Sequence, residues 1–108
     1  MNHRLGRLRT WLLGTGILCA GLTPAAGYAG DAGAAVALVG RCVACHGADG
    51  IGKAPQYPNL AGQKAPYLEK ALKAYRSGER KDPNMAPMVR DLSDTDIENL
   101  AAYFASLE

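Results

Sequence analysis

The stretch RCVACHG, residues 41–47, places Cys42, Cys45 and His46 side by side. A thiolate is a nucleophile and a soft metal ligand. An imidazole binds a metal through either ring nitrogen. His46 is the last histidine of the chain, and beyond it the only other soft donors are the thioethers of Met85 and Met88. Chemistry in this chain therefore centres on two thiols, one imidazole and two methionines.

Four arrangements use such a cluster. A thioredoxin-type dithiol belongs at the start of a helix that follows a strand, and no strand alternation is visible here. Structural zinc needs four ligands, and a second ligand pair is missing. A plain disulfide across two intervening residues closes a very small loop and stabilises little. Covalent haem attachment accounts for every position of Cys-x-x-Cys-His. Two thiols one helical turn apart can add to the two vinyl groups of one haem, and the next residue, a histidine, supplies the imidazole to iron. A six-coordinate iron then needs a second axial ligand. With no histidine left, the candidates are Met85 and Met88, and a thioether beside histidine is an established axial pair.

Export is the second signal. Residues 1–29 combine Arg4, Arg7 and Arg9 with a short apolar run, Trp11 to Leu22, and a small-residue stretch ending Gly27-Tyr28-Ala29. This reads as a secretory signal peptide cut after Ala29. The apolar run is too short for a membrane anchor. Leu18 before Cys19 speaks against a lipoprotein signal, and the arginines are not adjacent, which speaks against a twin-arginine signal. The chain carries twelve Lys and Arg against ten Asp and Glu, a net +2. Residues 30–108 carry nine against ten, hence 9 − 10 = −1. No basic field remains for nucleic acid. So small a domain needs a staple, and a large apolar cofactor provides one.

The elements that must position these groups are helical. Residues 31–41 read as a short helix, capped by Asp31, that runs into the cysteine pair. Residues 47–66 are rich in glycine and proline and read as a long loop, which in a small domain must wrap something. Residues 66–77 form a second helix, with Pro66 in its first turn and Gly78 at its stop. Tyr67, Leu68, Ala71, Leu72 and Tyr75 make its apolar stripe. Residues 79–92 read as a second loop carrying both methionines. Ser93 and Asp96 form a capping box for the last helix, whose buried face is Ile97, Leu100, Ala101, Phe104 and Leu107. The expected fold is all-α: three to four short helices and long loops around one covalent haem.

The segments GDA, CVACHGADG, APQYPNLAGQ, APYLEKALKAYRSGER, NMAPM and LSDTDIENLAAYFASL, in this order, resemble the class I c-type cytochromes. The likeness is to the small bacterial periplasmic kind whose haem domain also occurs as a tandem pair, and it spans residues 30–108. It implies one haem c, with Cys42 and Cys45 as thioethers and His46 as proximal ligand. It implies Met85 as the second ligand, with Met88 as the fallback. Pro58 would offer its carbonyl to the ligand histidine, and Leu60 would pack on the haem. Leu100 and Tyr103 would pack the last helix across the first, where Ala35 stands in a position that is often glycine in the family. Only one haem motif is present, so the tandem arrangement is absent.

The expected function is electron transfer in the periplasm between redox partner proteins. No catalytic acid–base pair is visible, and no enzyme activity is expected. Lys53, Lys64, Lys70, Lys73, Lys81 and Arg90 are candidates for steering a partner, although ordinary solvated lysines explain most of them. A monomer or weak dimer, with no stable membrane insertion after signal cleavage, is expected. The alternatives are a haem subunit of a periplasmic dehydrogenase, for instance one oxidising reduced sulfur compounds, and a ligand-binding or peroxidatic haem protein.

Overall fold

The computed structural model describes residues 27–108, together with Gly14, Gly16, Ala20 and Gly21. Most of the expected signal peptide lies outside the described residues. Among the described residues there is no strand. None of their helices is long and apolar enough to cross a membrane.

The fold opens on a 3-10 turn, Gly33–Ala35. The Asp31 carboxylate accepts the backbone N–H of Gly33 at 2.9 Å and of Ala34 at 3.3 Å, as its capping role requires. The expected helix over 31–41 forms only in part. Turns follow the 3-10 segment, and regular helix begins with α1 (Gly40–His46). Gly33, Val36, Val39 and Gly40 are weak helix formers, which delays its start. Regular helix therefore runs through the cysteine pair itself and ends on His46.

Helix α2 (Ala65–Ser77) has Pro66 in its first turn and stops at Gly78, whose φ is +81°. Leu68 is buried, and Leu72 and Tyr75 pack partly buried against the core. The segment expected as a loop over 79–92 contains a helix, α3 (Met85–Val89). Pro83 and Pro87 suggested loop. Pro87, however, sits in the first turn, where its missing N–H breaks no helical bond. The Asp82 carboxylate starts the helix by accepting the N–H of Asn84 at 2.8 Å and of Met85 at 3.0 Å.

Helix α4 (Asp94–Ser106) is the centre of the core. The Ser93 hydroxyl accepts the N–H of Asp96, and the Asp96 carboxylate accepts the N–H of Ser93, both at 3.0 Å. Ile97, Leu100, Ala101 and Phe104 are buried along one face, each large side chain contributing about 1.5–3 kcal/mol. That face meets α2 and the 3-10 turn. Ala35 is fully buried there, so alanine serves where the family pattern often has glycine. Leu100 lies in the core and Tyr103 packs against it.

The loop between α1 and α2 is tied down by backbone hydrogen bonds. Lys53 N–H donates to Cys45 O at 2.9 Å, Leu60 N–H to Gly50 O at 2.7 Å, and Gly62 N–H to Phe104 O at 3.2 Å. These bonds fold the loop back under the end of α1 and anchor it on α4.

Candidate functional site

His46 closes α1 and is only 7% exposed. Its ring is oriented from a distance in sequence: Nδ1 lies 2.9 Å from the carbonyl oxygen of Pro58. A carbonyl can only accept, so Nδ1 carries the proton in this contact and Nε2 is the nitrogen that could bind a metal. The loop that presents this carbonyl leaves no room for error. A Cβ on Gly52 would collide with the carbonyl oxygen of Tyr57, and one on Gly47 with the carbonyl of Ile51. Gly47 also has φ +84°, a conformation suited to glycine, directly after His46. The Asn59 side chain completes the loop by accepting Gly52 N–H at 2.8 Å.

Cys42 and Cys45 are both free thiols, each half-buried. The disulfide alternative is therefore not what the fold forms. Burial pushes the Cys42 thiol up, with the neighbouring Arg41 pulling weakly the other way. Among the described residues no three histidine, cysteine or acidic side chains converge as a metal cage would require. The two thiols and the imidazole thus follow one another along α1 without closing on a single point. This fits a cofactor held at its edge by sulfur and at its centre by nitrogen better than it fits zinc. Leu60, Leu72, Tyr75 and Met85, all partly buried, add apolar surface to the same core.

The two methionines are separated by their environments. Met85, at the start of α3, is half-buried against the core. Met88 is 39% exposed. Two arginines hold this segment from outside it. Arg41, next to Cys42, donates through Nη1 to Asp91 Oδ1 at 2.7 Å and to the Met88 carbonyl at 3.3 Å, and through Nη2 to Asp91 Oδ2 at 3.4 Å. Arg76, near the end of α2, donates to the Leu92 carbonyl at 2.9 Å and pairs with Asp94. Both carboxyls are held below the usual carboxylate range, chiefly by these hydrogen bonds.

Of the candidate steering cations, Lys53, Lys64, Lys70, Lys81 and Arg90 are exposed. Lys73 is half-buried and pairs with Glu69 at 2.7 Å. Arg41, Arg76, Asp82, Gly47, Gly52 and Asn59 escape a reading of the sequence. Gly47, Gly52, Asn59 and Asp82 carry local turn signals, but none of these marks which backbone group each will meet. The arginine pairings span 16 to 50 positions and leave no local trace.

The chain is similar to known proteins of one kind. Residues 30–108 match the family model for cytochrome c. The chain is 58% identical over 83 residues to cytochrome c-554(548) of Halomonas halodenitrificans, covering 74% of this chain and all of that one. It is 47% identical over 70 residues to the thiosulfate dehydrogenase electron acceptor of Stutzerimonas stutzeri, covering 62% of this chain and 32% of that one. The solved structure of reduced recombinant cytochrome c4 from Pseudomonas stutzeri superposes with a TM-score of 0.70 at 44% identity. That match covers 74% of this chain and 47% of the solved one, so the chain spans about half the length of that relative.

Proposed function

The chain belongs to the cytochrome c family, a family of all-α electron carriers with covalently bound haem c and no enzyme activity of their own, and from that premise we propose that it shuttles single electrons in the periplasm through a His46/Met85 site. The bound haem supplies a one-electron ferric/ferrous couple. Everything else is the work of side chains. Cys42 and Cys45 hold the cofactor as thioethers from one turn of α1. His46 offers Nε2, with its ring fixed by the Pro58 carbonyl. That hydrogen bond raises the basicity of the ligand and prevents it from rotating. Met85 is the second ligand, supported by its partial burial against the core and by the Asp82 hydrogen bond to its N–H. A thioether ligand and a dry apolar surrounding favour the ferrous state.

The single observation that carries this reading is the His46–Pro58 hydrogen bond: it leaves the other imidazole nitrogen able to bind a metal, on the same helix as Cys42 and Cys45. The partner would be another redox protein, docked through a small transient contact. Lys53, Lys64, Lys70, Lys81 and Arg90 are free to take part in steering it. Residues 1–29 would be removed on export, and the domain would act as a monomer or weak dimer.

A second reading has one specific support. A relative bears the name of the electron acceptor of thiosulfate dehydrogenase, at 47% identity. A haem protein serving such a dehydrogenase would co-purify with it and be reduced by it at a rate set by thiosulfate turnover. A free carrier would be purified alone and would exchange electrons with several partners.

The deciding experiment is spectroscopic. The protein is exported in a host with haem-attachment machinery, and the ferric spectrum is searched for the weak far-red band of iron–methionine ligation. The band is expected in the wild type and in Met88→Ala and is expected to vanish in Met85→Ala. A wild type that carries haem without the band overturns Met85 ligation and brings the ligand-binding haem protein forward.

A further inference from the structure

We propose that Arg41 and Arg76 are paired straps that keep the Met85 segment closed, so that the thioether of Met85 stays available as a ligand; this rests on the Met85 reading above. Beyond the Asp82 hydrogen bonds at its start, little local structure holds the segment. Helix α3 has five residues, far too few to persist without tertiary support. Only Val89 and Leu92 of the segment are buried in the core. A helix this short also leaves its last carbonyls without helical partners.

The two guanidiniums meet that need in the same way from opposite sides in sequence. Arg41 comes from α1, the helix that carries the thiols and the imidazole. It takes the Met88 carbonyl and both oxygens of Asp91. Arg76 comes from α2 and takes the Leu92 carbonyl and the Asp94 carboxylate. Each strap thus pairs one main-chain carbonyl with one carboxylate, a geometry that a planar fork of donors suits and an ammonium does not. Three of the four acceptors, on Met88, Asp91 and Leu92, lie on the segment between Met85 and α4, and the fourth, Asp94, opens α4 and fixes the Arg76 guanidinium beside the Leu92 carbonyl.

Exposed ion pairs contribute little to global stability. Their effect here is local. Releasing either strap lowers the cost of lifting one short segment, while the α2–α4 core stays in place. Arg41 and Arg76 are therefore positioning residues: they act on the ligand through the segment that carries it.

The test uses the haem-loaded ferrous protein and the rate at which it takes up carbon monoxide, since carbon monoxide can bind only when the sixth position opens. Arg41→Gln and Arg76→Gln are each expected to speed uptake about two- to fivefold, as the loss of one pair of this kind implies. The double variant is expected to show about the product of the two effects. Arg41→Lys is expected to fall between Arg41→Gln and the wild type. Lys73→Ala removes an ion pair of similar length that does not touch the segment, and it is expected to leave the rate unchanged. Denaturant midpoints are measured on all variants. Unchanged uptake in both arginine variants overturns the straps. So does a rise that tracks the loss of global stability equally in Lys73→Ala. A wild type without the far-red methionine band overturns the Met85 reading and the straps with it, whereas a wild type with the band and insensitive arginine variants overturns the straps alone.

Discussion

The imidazole Nδ1 of His46 lies 2.9 Å from the carbonyl oxygen of Pro58, a contact across twelve positions of sequence that joins the end of α1 to the loop beneath it. The loop can make that contact because two glycines let backbone approach backbone. Gly52→Ala and Gly47→Ala are each expected to destabilise the protein, since each new Cβ meets a carbonyl oxygen. At Gly47 the positive φ adds strain of about 1–3 kcal/mol. Gly40→Ala is the contrasting case. Its Cβ would meet nothing, and it opens α1 with no positive φ. It is expected to be neutral or to stabilise by up to about 1 kcal/mol. Guanidinium unfolding midpoints across the three variants check both signs.

Helix α4 depends on its start. The Ser93 hydroxyl and the Asp96 carboxylate each satisfy a backbone N–H at 3.0 Å. Ser93→Ala is expected to cost about 0.5–2 kcal/mol. Ser93→Asp is expected to retain most of the stability, because its carboxylate can accept the same N–H at the positive end of the helix dipole. Thermal midpoints of the two variants, compared at one pH, decide the matter.

What could be read from the sequence follows how local each signal is. The Cys42–Cys45–His46 cluster is contiguous, so its chemistry is visible without a fold. Helices α2 and α4 announce themselves through Pro66, Gly78, the Ser93–Asp96 box and apolar residues at helical spacing. Helix α3 was hidden because Pro83 and Pro87 are loop signals unless one knows that Pro87 falls in a first turn. Pro58 is an ordinary loop proline to any local reading; only the family resemblance implies its place beside His46. Arg41 and Arg76 are invisible for a different reason. Their partners lie on other elements, and nothing near them in sequence marks which carbonyl each will reach.

Export makes a prediction that mass spectrometry can check. Cleavage after Ala29 gives a protein that begins at Gly30 and carries one haem. It also removes Tyr28, whose hydroxyl donates to Glu69 at 2.8 Å and whose ring packs on the core. Glu69 then keeps Lys73 as its partner. The processed domain is therefore expected to fold without Tyr28, at a modest loss of stability relative to a variant processed before Gly27. An intact mass that includes Tyr28 would move the boundary upstream.

Acid should unfold this protein partly through the straps. Hydrogen bonds from Arg41 and Arg76 hold the Asp91 and Asp94 carboxyls below their ordinary range. An unfolded aspartate titrates at about pH 4. Since the folded values are lower, the unfolded chain binds more protons there, and stability falls as the pH falls. The stabilisation is fully present above about pH 4 and is lost as the pH drops through the lower folded values. Asp91→Asn and Asp94→Asn lack this dependence. Each is expected to be less stable than the wild type at pH 7 and to approach it as the pH is lowered below the ordinary aspartate range. The gap should also narrow as salt is raised at neutral pH, because both aspartates are largely exposed and their pairing is screened. Thermal midpoints from pH 7 down to about 2.5, in low and high salt, test the sign. A gap that stays constant across that range would mean that the two carboxylates act through packing or capping and not through their charge.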